Sequence, residues 1–133
     1  MSEADAATVL LVEDNPQNRK LARTILTLEG HEVLEAPDAR AALETLARRR
    51  PDVVLVDIQL PGMDGLELVQ RLRSDPETAD LVIVAMTAYA MRGDRERCLR
   101  AGCDGYLSKP IDPKTFAEAV ATFAGKGRRR EIG

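Results

Sequence analysis

Several short apolar runs end on polar side chains of the kinds that handle phosphate and divalent metal. Glu13 and Asp14 follow Val9-Leu10-Leu11-Val12, and Asp57 follows Val53-Val54-Leu55-Val56. Thr87 follows Val82-Ile83-Val84-Ala85-Met86, and Lys109 follows Tyr106-Leu107-Ser108. If a parallel sheet brings these ends to one edge, three carboxylates, a hydroxyl and an ammonium meet there. Two carboxylates about 4 Å apart repel by about 4 kcal/mol at an effective dielectric of about 20. Such a cluster takes up either a proton or a cation. Hard oxygen ligands with room for water favour Mg²⁺. A carboxylate can also attack phosphorus and form an acyl phosphate. The rest of that catalysis is alignment of the donor and neutralisation of its equatorial oxygens, which a metal, Lys109 and Thr87 would supply. Asp57 is the candidate nucleophile because its apolar run reads as the central, most rigid strand. The following segment, Ile58-Gln59-Leu60-Pro61-Gly62, can turn a backbone carbonyl toward the metal.

The elements that would position these residues alternate from end to end. Leu21, Ile25 and Leu28 recur at helical spacing before Gly30, and Val33-Leu34 marks a short strand. Ala39, Ala42, Leu43 and Leu46 make an i, i+3, i+4, i+7 stripe, closed by Pro51. The nearly continuous apolar run 53–56 is typical of a strand covered on both faces. Leu68, Val69 and Leu72 form the next helical face, and Leu81–Met86 the fourth strand. A charged helix over Arg92–Ala101 stops at Gly102, Tyr106-Leu107 lies on a fifth strand, and Phe116, Ala119, Val120 and Phe123 line a last helix. Five βα units predict a parallel α/β sheet with helices on both faces. We read one domain over residues 8–124, a disordered stretch at 1–7 and a basic flexible tail at 125–133.

Bulk properties narrow the function classes. At 133 residues the chain has room for one domain with a proper core. A net charge of −3 offers no sequence-independent attraction to nucleic acid. No apolar stretch approaches the roughly 20 residues that span a bilayer, and the acidic start Met1-Ser2-Glu3-Ala4-Asp5 lacks signal-peptide features. Cys98 and Cys103 have no metal-ligand spacing. A reduced cytoplasmic protein with two buried thiols is expected, binding neither membrane nor nucleic acid.

The strings Val-Glu-Asp-Asn (12–15), Val-Asp-Ile-Gln-Leu-Pro-Gly-Met-Asp-Gly (56–65), Met-Thr-Ala (86–88) and Ser-Lys-Pro (108–110) occur in this order. Together they resemble the receiver domain of two-component response regulators, over about residues 8–124. The resemblance implies a (βα)5 flavodoxin-like doubly wound sheet with strand order 2-1-3-4-5. It implies Asp57 as phosphoacceptor, with Mg²⁺ held by Asp14, Asp57 and the Gln59 carbonyl, and by Glu13 through water. Thr87 and Lys109 would bind phosphoryl oxygens, and the Lys109-Pro110 bond would be cis. The implied donor is a histidine kinase or a histidine phosphotransfer protein. Thr87 and Tyr106 would form the switch that repacks the face made by the fourth helix, fifth strand and fifth helix. With no output domain expected beyond the short tail, a downstream effector protein would read that face. Gln59 and Tyr89 are the positions expected to tune the phosphoaspartate lifetime.

Each residue also has a plainer reading. Acids such as Glu13 and Asp14 suit any helix N-terminus, and Asn15 reads as a helix cap rather than a ligand. Tyr106 alone is an ordinary strand aromatic, and His31 a solvated turn residue. The charges at Arg92, Arg95, Arg97 and Arg100 read first as a solvated helix face. Two further functions compete: a phosphorelay intermediate that passes the phosphoryl group on, and an aspartyl-phosphate phosphohydrolase. The phosphohydrolases of the haloacid dehalogenase type place a second acid two residues after the nucleophile, where this chain has Gln59.

Overall fold

Val53–Asp57 is buried at every residue, and the rest of the molecule is arranged around that strand. The computed structural model describes residues 6–60, 64–87 and 94–132. In chain order the elements are β1 (Thr8–Val12), α1 (Pro16–Leu28), β2 (Glu32–Ala36), α2 (Ala39–Leu46) and β3 (Val53–Asp57). They continue with α3 (Gly65–Ser74), β4 (Ile83–Thr87), α4 (Asp94–Ala101), β5 (Gly105–Ser108) and α5 (Pro113–Ile132). The five strands form one parallel sheet in the order β2-β1-β3-β4-β5, as the resemblance implies. Strand order reverses between β1 and β3, so their carboxyl ends open the crevice where sheets of this kind bind ligands.

The two-residue period of a strand sorts the core into two layers. Leu10, Val12, Val54, Val56, Ile83 and Ala85 face α2, α3 and α4, where they meet Ala42, Leu68, Leu72 and Cys98. Their neighbours Val9, Leu11, Val53, Leu55, Val84 and Met86 face α1 and α5, meeting Ala22, Leu26, Phe116 and Val120. Helix starts are fixed by side chains that accept otherwise unpaired N–H groups. Asn15 Oδ1 accepts from Gln17 and Asn18 at 2.9 and 3.0 Å, so it is a cap. Asp38 and Asp64 do the same for α2 and α3. Gly30 and Gly102, at φ 90° and 116°, supply the left-handed turns after α1 and α4.

Three expectations need correction. Helix α5 continues through residues 125–132, the segment the sequence reads as a flexible tail. The Gly125-Lys126-Gly127 string looks like a helix breaker, but a Cβ at 127 would collide with the Asp52 carbonyl. Glycine there is what lets the helix pass the loop before β3. At the other end, Ala7 is buried and its N–H donates to His31 Nδ1 at 3.1 Å. That anchors residue 7, and it makes His31 a buried acceptor rather than a solvated turn residue.

One junction lies outside the sequence reading altogether. Arg73 on α3 donates to the carbonyls of Gly102, Ala79 and Leu81, and pairs with Asp104 at 2.9 Å. Asp104 in turn accepts the Ile83 N–H at 2.8 Å. The end of α4 is thereby tied to α3 and to the start of β4. Cys98 and Cys103 are both buried. Burial, followed by the nearby Cys98, pushes the Cys103 thiol up to about 12, which leaves it unreactive. Among the described residues, no helix is long and apolar enough to cross a membrane.

Candidate functional site

The register of the sheet places the predicted polar residues at one edge. Glu13 lies just past β1, Asp57 ends β3, Thr87 ends β4, and Lys109 follows β5. Asp57 stands beside Met86, and Thr87 beside Ser108. Oxygens of Glu13, Asp14 and Asp57 all lie within 4.8 Å of one another. The Lys109 ammonium bridges two of these carboxylates, 2.6 Å from Glu13 Oε1 and 2.8 Å from Asp57 Oδ2. Its own backbone N–H is held by the Thr87 carbonyl at 2.7 Å, and the Lys109-Pro110 peptide is cis. Residues separated by about a hundred positions thus form one cluster.

Burial differs sharply across it. Glu13, Asp57 and Thr87 are 1%, 4% and 0% exposed, whereas Asp14 faces solvent. Glu13 is held from several sides: its N–H donates to the Ala36 carbonyl, and its Oε2 accepts from Asn15 N–H at 3.1 Å. Asp57 Oδ1 accepts from the Gln59 N–H at 2.9 Å, which leaves its two oxygens with different partners. Gln59 itself is exposed. Tyr106 is half-buried against the α3–α4 layer, with its hydroxyl 3.5 Å from that of Ser108. Thr87 and Tyr106, at alternate positions of neighbouring strands, share that face. Tyr89 lies outside the described residues, as do 61–63 of the loop after β3.

The electrostatics follow from this packing. Burial raises the Glu13 carboxyl above its ordinary range; the Lys109 hydrogen bond opposes this and the Asp57 charge adds to it. For Lys109, burial pushes down, but the hydrogen bonds to Asp57 and Glu13 and their charges outweigh it and leave it raised. A carboxyl that is raised on folding contributes stability below its ordinary range. That contribution is lost as pH rises through the folded value. Lys109, also raised, contributes fully at neutral pH and loses its contribution only in alkaline solution.

Three carboxylates around one ammonium leave two negative charges unbalanced. One divalent cation cancels that excess, and an all-carboxylate donor set suits a hard ion such as Mg²⁺. Asp14, Asp57 and Glu13 are therefore the residues fitted to hold it. A stability prediction follows. Asp14→Asn should raise the metal-free midpoint of thermal unfolding by about 2–5 °C, because it removes one of the repelling charges. Added Mg²⁺ should then stabilise the wild type and leave the variant unmoved. Thermal scans with and without the ion check both arms; a variant that is less stable without metal would contradict the charge account.

Arg19 carries no motif in the sequence that marks it as part of the site. It donates to the Glu13 carbonyl at 3.0 Å from one turn into α1. No short-range pattern announces such a side chain to main chain contact, and its only sequence signal is its place in the first turns after the acidic pair.

Comparison with known proteins bears directly on this cluster. Residues 9–121 match the family model described as response regulator receiver domain. The chain is 40% identical to the polar-differentiation response regulator DivK of Brucella anthropi over 118 residues, 89% of this chain and 96% of that protein. Among solved structures it resembles the receiver domain of sensor histidine kinase PA1611 from Pseudomonas aeruginosa, with TM-score 0.82 and 34% identity. That match covers 90% of this chain and 98% of the other, whose structure holds a magnesium ion coordinated in the active site cleft. The chemotaxis response regulator CheY4 of Vibrio cholerae matches with TM-score 0.83 and 29% identity, covering 89% of this chain and 98% of that one.

Proposed function

The chain belongs to the response regulator receiver family, and from that premise we propose that it is a phosphorylation switch with Asp57 as acceptor. The observation that carries this reading is the bridging of Glu13 and Asp57 by Lys109 within an acidic cluster at the sheet edge. One Asp57 oxygen attacks the phosphorus of a phosphohistidine on a histidine kinase or phosphotransfer protein. The P–N bond breaks, its electron pair returns to the imidazole, and a mixed anhydride remains on Asp57. Mg²⁺, when bound by Asp14, Asp57, the Gln59 carbonyl and, through water, Glu13, supplies charge neutralisation at the transferring oxygens. The chain's own residues do the rest. Lys109 shifts from the carboxylates onto a phosphoryl oxygen, and the Thr87 hydroxyl donates to another. The Gln59 N–H keeps the second Asp57 oxygen oriented, so the attacking one faces the donor.

The output follows from the same residues. When Thr87 turns toward the phosphoryl group, the Tyr106 ring moves into the space it leaves. That motion repacks the α4-β5-α5 face for a downstream effector protein. Shifting such a two-state element from 1:99 to 99:1 takes about 5.5 kcal/mol of differential interaction, a size that hydrogen bonds from Thr87 and Lys109 to a charged phosphoryl group in a buried pocket would help to supply. Gln59, two residues after Asp57, and Tyr89, two residues after Thr87, tune how fast water removes the phosphoryl group. The chain thus acts as a signalling switch in the cytoplasm, with phosphotransfer and self-dephosphorylation as its only chemistry.

Incubation with acetyl phosphate and Mg²⁺ tests the reading. Intact-mass measurement should show one added phosphoryl group per chain, and none when the ion is chelated. Uptake that proceeds equally well without divalent metal would sink it.

A further inference from the structure

We propose that Arg19 is a positioning residue for the metal site, holding the main chain that presents Asp14 to Mg²⁺. The inference deepens the reading above and rests on it. Asp14 is the exposed member of the acidic cluster, so its direction depends on the backbone around it. Most of that backbone is pinned. The Glu13 N–H donates to Ala36 of β2, the Asn15 N–H donates to the Glu13 side chain, and Asn15 caps α1. The peptide joining Glu13 to Asp14 is held at its carbonyl by Arg19 Nη1, at 3.0 Å. That contact fixes the plane of the peptide and hence the direction in which the Asp14 side chain leaves.

Arg19 is itself anchored at both ends. Its backbone N–H donates to the Asn15 carbonyl at 2.9 Å, so the clamp starts from the same loop. Its Nε lies 3.4 Å from Glu35 Oε1 on β2, while Arg23 takes the other Glu35 oxygen at 3.1 Å. Arg19 is only 24% exposed at its side chain, against 45% for Arg23. The planar fork matters here, because it offers Nη1 to the carbonyl and Nε to the carboxylate from two separate, rigidly spaced nitrogens, a spacing that the single nitrogen of an ammonium lacks. Groups that orient a metal ligand from behind typically change affinity about 10–100-fold when removed.

Charge and position predict opposite signs. As a cation near an acidic cluster, Arg19 repels Mg²⁺, so its removal would tighten binding if charge were all. As a clamp on the Glu13 carbonyl, its removal loosens Asp14 and weakens binding. Titration calorimetry with Mg²⁺ separates the two. Arg19→Met should raise the Kd about tenfold, and Arg19→Lys, which keeps the charge and loses the fork, should also raise it. Arg23→Met, which breaks a contact to the same Glu35 without touching Glu13, should stay within about twofold of wild type. An Arg19→Met or Arg19→Lys protein that binds Mg²⁺ as tightly as wild type, or more tightly, overturns the proposal. An Arg23→Met protein that loses as much as Arg19→Met also overturns it. If the wild type itself binds no Mg²⁺, the metal-site reading fails and takes this inference with it; if wild type binds and the Arg19 variants match it, only the inference fails.

Discussion

Asp57→Asn should take up no phosphoryl group from acetyl phosphate in Mg²⁺, under conditions where the wild type takes up one. The substitution keeps the size and shape of the side chain. An amide can still accept the Gln59 N–H that Asp57 Oδ1 accepts at 2.9 Å. What it lacks is the nucleophile, since its remaining oxygen carries no negative charge and its nitrogen is committed to amide resonance. It also lowers the negative charge around Lys109, which lies 2.8 Å from Oδ2. Lys109 keeps Glu13 as its partner at 2.6 Å, and one of three clustered carboxylate charges is gone, so the metal-free fold should be at least as stable as wild type. Intact mass and thermal unfolding read the two effects independently. Loss of uptake in a protein that unfolds at or above the wild-type midpoint is the expected pairing, and it separates lost chemistry from lost structure.

Lys109→Met carries the second large effect, in two directions. The methionine keeps much of the aliphatic stem and deletes the ammonium that touches both Glu13 and Asp57. During transfer, the charge on the phosphoryl oxygens then lacks one of its preorganised partners. Losses of a single such partner typically cost about 10²–10³ in rate. Uptake from acetyl phosphate should slow accordingly while still ending at one group per chain. In the resting protein the same change leaves two buried carboxylates without their counter-ion. Breaking a buried pair from one side typically costs about 3–5 kcal/mol. Glu13 can relieve this by protonating, since burial already raises its carboxyl. The stability deficit should therefore be large at neutral pH and shrink toward acid. Chemical denaturation at several pH values checks this; a deficit independent of pH would mean that packing, not charge, is what Lys109 supplies.

Much of this architecture is legible in the chain because parallel strands buried on both faces are written as nearly unbroken apolar runs. Val53–Val56 marks β3 and Asp57 interrupts it at the crevice, so strand and site come from one string. The cap at Asn15 and the stops at Gly30 and Gly102 are local effects, and local effects show in sequence. Contacts between distant polar groups do not. Arg73 reaches Gly102 and Asp104 across 29 and 31 positions, and no periodicity encodes that. His31 looks like a turn residue because its neighbours are polar, while its burial depends on Ala7 lying against it. The extension of α5 was hidden for a related reason. Glycine disfavours a helix interior by propensity, but at 127 it is required by the approach of Asp52, a neighbour in space and not in sequence.

The most direct measurement is the position of the phosphoryl group itself. After phosphorylation with acetyl phosphate and Mg²⁺, borohydride reduction converts an aspartyl phosphate to homoserine, which peptide sequencing by mass spectrometry locates. The account predicts homoserine at position 57 alone, with none in Asp57→Asn. Modification at any other residue, or unmodified Asp57 in a protein that has gained the phosphoryl mass, would contradict it.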